Sequence, residues 1–186
     1  MAVIEPKTVT LKNGKEVCIR TPVVEDTTKA IVYLKAVFAD DRFFLTTTEE
    51  AKEFQIPEKE QEHIEKFYND DNKLLLITLD DEKIVSMSHL EAGSKKRIQH
   101  VASMGISILP DYRGNGLGTE IMQAMIDWAT QHPIIEKLSL EVWGNNAPAI
   151  GLYEKMGFLE EGRKKRQLKY PDGTYDDMVC MYRFVE

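Results

Sequence analysis

The stretch DYRGNGLGTE places three glycines, Gly114, Gly116 and Gly118, within five residues and leads directly into an apolar pattern with helical spacing. Glycine costs about 1 kcal/mol relative to alanine inside a helix, so its use at a helix start needs a reason. The first N–H groups of a helix have no intrahelical partner and lie at the positive end of the helix dipole. Glycines let an anion approach these amides, and Arg113 adds a cation beside them. The stretch therefore predicts either a phosphate-binding loop or a capped turn without a ligand.

Two familiar nucleotide-binding loops do not fit this spacing. A Rossmann loop has G-x-G-x-x-G inside a βαβ unit, whereas this chain has R-G-N-G-L-G after strands predicted to be antiparallel. A Walker loop has a lysine directly after its second glycine, and no lysine stands in this loop. The prediction of an anion site remains, and these two interpretations of it are excluded.

The stretch ISILPDYRGNGLG resembles motif A of the GNAT superfamily of acyl-CoA N-acyltransferases, through Arg113, Gly116 and Gly118. A second stretch, LEVWGNNAPAIGLYEKMGF, is similar to the other half of that family's site. The residues that match there are Glu141, Asn146, Ala149, Ile150, Leu152, Tyr153, Lys155, Gly157 and Phe158. The two motifs stand in the family's order, which makes them more specific together than either is alone. The end of the chain looks like the branch of ribosomal-protein N-terminal and small-amine acetyltransferases.

The resemblance implies acetyl-CoA as cosubstrate. The strand 106–108 would bond the pantetheine arm through its backbone, and the loop 114–119 would cradle the pyrophosphate. The cofactor contacts implied in this way are Ile106, Ser107, Ile108, Arg113, Gly114, Asn115, Gly116, Leu117, Gly118, Thr119 and Asn146. Asn146 also suits the N-cap of a helix, and the two roles are compatible.

Acetyl transfer from a thioester to an amine needs an acceptor for the amine proton and benefits from a proton donor for the leaving thiolate. The resemblance places Tyr153 beside the thiolate as general acid; the alternative is an aromatic side chain that packs in the core. It also makes the glutamate of the L-E-V pattern, here Glu141, the general base. Many relatives carry a glutamate in the central strand instead, where this chain has Ser103. Glu141 is therefore the leading base, and the reserves are Glu91, His89 and His100.

Two further groups have both a functional and a structural interpretation. Phe43, Phe44 and Leu45 fall where the family builds its acceptor pocket, but adjacent apolar residues also commonly fill a core. The basic cluster 164–166 suits either the adenosine 3′-phosphate or a solvated strand edge, and the edge is the preferred interpretation.

These residues predict an acetyl-CoA-dependent N-acetyltransferase that acts on a primary amine of a small molecule or a protein N-terminus. Neither Cys18 nor Cys180 lies in a motif, so direct transfer in a ternary complex is expected rather than a covalent enzyme intermediate. Two alternatives stay open. One is a non-catalytic acyl-CoA-binding or sensing domain, and the other is an acyltransferase with a different acyl donor or a hydroxyl acceptor.

The elements that must position these residues follow from hydrophobic periodicity and turn residues. Asn13-Gly14 and Asp172-Gly173 predict hairpins, the first with a type I′ turn, and Gly157 predicts a helix stop. The predicted helices are 25–39, 58–68, the segment from the glycine loop to about 130, and 146–156. The predicted strands outside the hairpins are 73–79, 83–92, 97–110 and 137–143. This order predicts an α+β, GNAT-like fold: a mixed, mostly antiparallel central sheet with helices on both faces.

Bulk composition limits the class of protein. The 186 residues predict one domain, 1–186, and 42% hydrophobic with 30% charged residues is typical of a soluble globular chain. A formal net charge of −7 argues against a nucleic-acid partner. No secretory signal or membrane span is apparent, so a cytoplasmic location without a membrane partner is expected. No metal ion is expected, and a homodimer is the usual form for a soluble oligomer.

Overall fold

The computed structural model describes residues 3–39 and 46–185. They form two compact units. The first contains the described residues of Met1–Glu91 and Gly105–Ile121, and the second those of Ala92–Met104 and Met122–Glu186. The predicted acceptor wall, Phe43, Phe44 and Leu45, lies outside the described residues.

Within residues 3–39 and 46–185, the structure contains eight strands and four α-helices. The strands are β1 (Lys7–Thr10), β2 (Glu16–Arg20), β3 (Lys73–Asp80), β4 (Lys83–Ala92), β5 (Val101–Ile108), β6 (Lys137–Trp143), β7 (Leu159–Lys169) and β8 (Tyr175–Phe184). The helices are α1 (Thr27–Val37), α2 (Pro57–Tyr68), α3 (Leu117–Gln131) and α4 (Ala147–Lys155). The strand order is β1-β2-β3-β4-β5-β6-β8-β7. None of the described helices is long and apolar enough to cross a membrane.

The predicted mixed, mostly antiparallel sheet is confirmed. β1–β2, β2–β3, β3–β4, β6–β8 and β7–β8 pair antiparallel, whereas β5 and β6 pair parallel. A parallel pair needs a long connection, and α3 supplies it between β5 and β6. The glycine loop stands at the start of that connection.

The hairpin at Asn13-Gly14 is confirmed, but its predicted turn type is wrong. A type I′ turn needs positive φ at both central residues, and only Gly14 has one, at 83°. The N–H of Gly14 donates to Leu11 O at 2.9 Å, and the N–H of Leu11 donates to Lys15 O at 2.8 Å. The loop is therefore the three residues 12–14, with glycine in the left-handed position that follows a type I turn.

The strand predicted over 97–110 is shorter in the structure. It starts at Val101, because the N–H of Ile98 donates to Lys95 O and the N–H of Val101 donates to Ile98 O. These bonds close turns that use the backbone groups an extended strand would offer to a neighbour.

A buried ion pair fixes the start of α1 in the first unit. Arg20 donates two hydrogen bonds to the Asp26 carboxylate, at 2.7 and 2.8 Å, and the N–H of Val23 donates a third at 2.9 Å. Burial alone would raise the pKa of Asp26, but the Arg20 and Val23 bonds outweigh it and lower the pKa below its usual value. Asp26 is only 2% exposed, so these bonds join the residue directly before α1 to β2 and to Val23 in a desolvated setting.

The core of the second unit contains buried residues of α3, β6 and β8. Met122, Met125 and Ala129 of α3 are fully buried. The predicted helix stop at Gly157 is confirmed, because its φ is 81° and its N–H donates to Glu154 O. The N–H of Phe158 then donates to Tyr153 O at 2.9 Å, which completes the helix-ending pair of bonds.

Helix α2 buries a carboxyl group without a partner. Glu60 is 5% exposed, and its Oε1 atom has no hydrogen-bond partner in the part of the chain that the structure describes. Burial raises the pKa of Glu60 to about 7, because the charged form loses its hydration.

Replacing this carboxyl by its neutral amide, Glu60→Gln, is expected to stabilise the protein at alkaline pH. The folded state holds a proton at Glu60 that the unfolded chain releases above its ordinary pKa of 4.5, so wild-type stability falls as the pH rises from 4.5 to about 7. The gain in the free energy of unfolding should be about 3 kcal/mol above about pH 8 and close to zero near pH 4. Urea unfolding at both pH values measures it, with the exposed Glu58→Gln as matched control. An equal gain at both pH values would contradict this account.

Candidate active site

The glycine loop has the backbone conformation that its sequence predicts. Gly114 has a φ of 74° and Gly116 a φ of 90°, in the left-handed region that disfavours any other residue. A Cβ built on Gly114 meets no atom within 4 Å, so the space beside it is open. The side chain of Asn115 closes the loop by donating to Arg113 O at 3.1 Å. Helix α3 begins directly afterwards, at Leu117.

The first-turn amides of α3 are nearly as predicted. Leu117 and Gly118 precede the first intrahelical bonds, so their N–H groups remain available. Thr119 differs, because its N–H already donates to Gly116 O at 3.0 Å. The N–H groups that remain available to an anion are therefore those of the loop and those of Leu117 and Gly118.

Two cations flank this loop, and sequence reasoning found only one of them. Arg113 donates from Nε to Ile108 O at 2.8 Å, which leaves its terminal nitrogens for a ligand. Lys12, in the first hairpin loop, donates its N–H to Asn115 O at 3.0 Å. Its Cγ and Cε lie 3.8 and 3.9 Å from a Cβ built on Gly116. No local pattern marks Lys12, because a contact across more than 100 residues depends on tertiary packing.

The acidic residue in the first turn of α3 is Glu120, and a lysine of the first unit neutralises its charge. Lys7 forms an ion pair with Glu120 at 2.9 Å. This carboxylate would otherwise weaken the attraction of the loop for an anion.

The last part of β5 has one edge without a strand partner. β5 pairs with β6 from Val101 to Ser103 but continues to Ile108, and no further pair with β6 is present among the described residues. Tyr33 of α1 donates its hydroxyl to Ser107 O at 2.8 Å, and Ser107 Oγ donates to Met87 O at 3.2 Å. Neighbouring elements therefore hold this segment rigidly while its edge offers backbone groups to an extended ligand.

Tyr153 is buried and keeps its hydroxyl unengaged. It is 8% exposed and packs against Phe158, with ring centroids 6.1 Å apart. Its hydroxyl makes no hydrogen bond to any residue in the described ranges. Burial raises the pKa of Tyr153 to about 12, so the phenol stays protonated at neutral pH. Both the core-packing interpretation and a proton-donor role fit these facts.

Asn146 caps α4. Its side-chain oxygen accepts a hydrogen bond from the N–H of Ala149 at 3.3 Å, which is the structural role foreseen for it. Its amide nitrogen is left for other contacts.

Glu141 lies on β6 with its side chain 47% exposed and forms an ion pair with Lys164 of β7. The other members of the basic cluster are also engaged. Lys165 pairs with Asp177 at 2.8 Å, and Arg166 stacks over the Tyr175 ring at 4.1 Å. Two cations of the cluster are therefore paired with carboxylates, and the third is stacked on an aromatic ring.

The three reserve bases have different surroundings. Glu91 pairs with Lys73 at 2.5 Å. His100 lies in the second unit, beside a polar cavity of about 400 Å³ lined by residues that include Gln99 and Glu136. His89 lies in the first unit against β5. Ser103, at the position where many relatives have a glutamate, is on the exposed side of β5.

The strand order, the glycine loop after β5 and the motif residues of β6 and α4 together define the architecture of an acyl-CoA N-acyltransferase. Comparison with known proteins agrees. The sequence profile described as "Acetyltransferase (GNAT) family" matches residues 41–158, more than half of the chain. The chain belongs to this family.

Two characterised relatives differ in the amine they acetylate. The L-amino acid N-acetyltransferase AaaT of Escherichia coli K12 is 31% identical over 109 residues, which cover 58% of this chain and 66% of the relative. The ribosomal protein bS18-alanine N-acetyltransferase of the same strain is 35% identical over 74 residues, or 40% of this chain and 49% of the relative.

Solved structures share the fold over most of the chain. A GNAT-family acetyltransferase from Streptococcus pneumoniae is 26% identical with a TM-score of 0.78, covering 91% of this chain and 99% of that one. Spermidine N-acetyltransferase from Vibrio cholerae, solved with CoA and spermine, is 20% identical with a TM-score of 0.70, covering 91% and 95%.

Proposed function

We propose that this protein is an acetyl-CoA-dependent N-acetyltransferase that acetylates a primary amine of a small molecule or a protein N-terminus in the cytoplasm. The observation that carries the proposal is the glycine loop. Two of its glycines are left-handed just before the start of α3, and the space beside Gly114 is open. The loop follows β5 after a short 3-10 turn at Pro110–Tyr112, and among the described residues the last part of β5 has no β6 partner. A side chain at either glycine would be strained and would fill the space that a pyrophosphate needs. The residues present thus fit the cosubstrate.

Several segments of the first unit are proposed to bind the cosubstrate. The N–H groups of Gly116, Leu117 and Gly118 would hold the pyrophosphate, with Lys12 and Arg113 beside it. The backbone of Ile106–Ile108 would pair with the amides of the pantetheine arm. Acetyl-CoA supplies the activated acetyl thioester; the chain itself orients it and moves protons.

Two residues of the second unit are proposed for proton transfer. Tyr153 would protonate the leaving thiolate, since a buried phenol that stays protonated is suited to that role. Glu141 is the base that the motif implies, and it would have to release Lys164 before it accepts a proton. Neither motif contains a cysteine, which favours direct transfer in a ternary complex.

The experiment that tests this function is calorimetric titration with acetyl-CoA, followed by thiol-release assays on four acceptor classes. These are free amino acids, polyamines, aminoglycosides and peptides with a free N-terminus. Binding with turnover on one class supports the proposal and names the acceptor. Binding without turnover on any of the four classes would favour a sensing domain. Absence of binding would overturn the assignment of the glycine loop.

Removing the lysine beside the loop, Lys12→Ala, is expected to weaken acetyl-CoA binding about three- to tenfold at low salt. An exposed cation beside a phosphate contributes modestly, and salt screens its contribution. Calorimetry at about 20 mM and about 300 mM salt should show a smaller difference from wild type at the higher concentration. Lys15→Ala is the matched control, because Lys15 of the same hairpin pairs with Asp80 at 2.5 Å. Equal affinities of the wild type and Lys12→Ala at low salt would contradict the role of Lys12.

A further inference from the structure

His89 of β4 lies directly against Gly105 of β5. A Cβ built on Gly105 would lie 2.5 Å from His89 Cε1 and 3.2 Å from each ring nitrogen. The φ of Gly105 is not positive, so the imidazole, rather than the backbone conformation, explains why this position is a glycine. The ring also meets Phe67 of α2 edge-on, with centroids 6.1 Å apart. Strand β5, helix α2 and the absence of a side chain at Gly105 thus define the position of the His89 imidazole.

Under the proposed function, the reacting end of the cosubstrate reaches the same residue. The pyrophosphate would lie beyond the C-terminal end of β5, and the pantetheine arm would run back along Ile108 towards Ile106. A strand advances about 3.3 Å per residue. An arm paired with Ile106–Ile108 therefore carries its thioester to the level of Gly105, where the His89 ring lies.

We infer that the His89 imidazole, in place of the Glu141 carboxylate that the motif implies, accepts the proton of the attacking amine; this inference rests on the proposed function. As the amine nitrogen bonds to the acetyl carbon, the C–S bond breaks and its electron pair stays on sulfur. A neutral ring nitrogen of His89 takes the proton that the amine gives up, and the thiolate takes one from the acid proposed above. Unlike Glu141, His89 does not have to leave an ion pair first.

The surroundings of His89 keep its ring neutral and able to accept a proton. His89 is an exposed residue, yet the groups packed against its ring lower its pKa by desolvation, and the carboxylate of Glu91 partly offsets this. Glu91 is held by Lys73 at 2.5 Å, and Lys66 lies 3.7 Å away from it. Among the described residues, Glu91 on β4 and His63 on α2 act electrostatically with the His89 ring, and Lys66 and Lys73 pair with Glu91.

The variant His89→Gln tests the inference, since an amide can hydrogen bond but does not accept a proton at neutral pH. We expect kcat to fall at least thirtyfold while the acetyl-CoA dissociation constant changes less than twofold. The wild-type rate should fall at acidic pH with an apparent pKa below 6.5, and this acidic limb should be missing in His89→Gln. His132→Gln, at the end of α3, is the matched control and should keep the wild-type rate and limb.

A second readout does not depend on turnover. The chain has four histidines, so the Cε1–H resonances can be assigned with single His→Gln variants. Addition of acetyl-CoA should move the His89 resonance and its titration midpoint and leave His132 unchanged. Acetyl-CoA binding with an unmoved His89 resonance, or His89→Gln with a wild-type rate and acidic limb, overturns the inference and leaves the acetyltransferase assignment intact. Absence of acetyl-CoA binding by the wild type overturns both.

Discussion

Tyr153→Phe should lower kcat about a hundredfold or more and leave the affinity for acetyl-CoA unchanged. The leaving thiolate would lose its proton donor, and a positioned acid contributes about 10²- to 10⁴-fold to rate. Phenylalanine fits the same site, because the Tyr153 hydroxyl makes no hydrogen bond within the described residues and the ring is already packed against Phe158. Steady-state thiol release and calorimetry measure the two quantities.

The control for this variant is Tyr182→Phe on β8. Tyr182 is half-buried, and its ring packs against Phe184 with centroids 5.3 Å apart. It is a tyrosine of the same unit that has no proposed contact with the cosubstrate. A kcat of Tyr153→Phe within about threefold of wild type would show that another group, or solvent, protonates the thiolate.

Asp26→Asn should cost about 3 kcal/mol of folding stability at neutral pH. The change leaves the Arg20 guanidinium, whose side chain is 22% exposed, without its carboxylate partner, and breaking a buried ion pair from one side costs about 3–5 kcal/mol. The side-chain oxygen of the asparagine still accepts the hydrogen bond from the N–H of Val23, so one of the hydrogen bonds at this position is kept. Urea unfolding measures the difference.

The pH dependence identifies the cause. The pKa of Asp26 is lowered in the folded state, so its contribution is present above the ordinary value of 3.8 and is lost as the pH falls through the lower folded-state value. The gap between Asp26→Asn and wild type should therefore close in acid. The exposed pair Lys7–Glu120 offers a matched control, because Glu120→Gln should cost less than about 1 kcal/mol. A gap that persists undiminished at acidic pH would point to the loss of packing instead of charge.

Local signals in the sequence predicted most helices and strands correctly. The helix stop at Gly157 is an example, because the left-handed conformation that ends a helix is one that glycine adopts readily. The hairpin at Asn13-Gly14 was equally clear. Its turn type was not, because a glycine in the left-handed position suits both a two-residue type I′ loop and a three-residue loop that follows a type I turn.

What the sequence could not predict depends on contacts between distant segments. The approach of Lys12 to the glycine loop, the pairing of Glu141 with Lys164, and the placement of His89 on Gly105 each join residues from different strands or loops. The ring against Gly105 is the clearest case. A glycine inside a strand signals a close approach by something, but the sequence does not say by what.

The unpaired edge at the end of β5 has a cost for the ligand-free protein. Exposed backbone of this kind can recruit a strand from another molecule, which is how edge-to-edge aggregation begins. A bound pantetheine arm would cover that edge, and a ligand that binds only the folded state also raises its stability by mass action. The cosubstrate would then act as a chemical chaperone for its own enzyme, and the supply of acetyl-CoA would influence how much of the protein stays soluble.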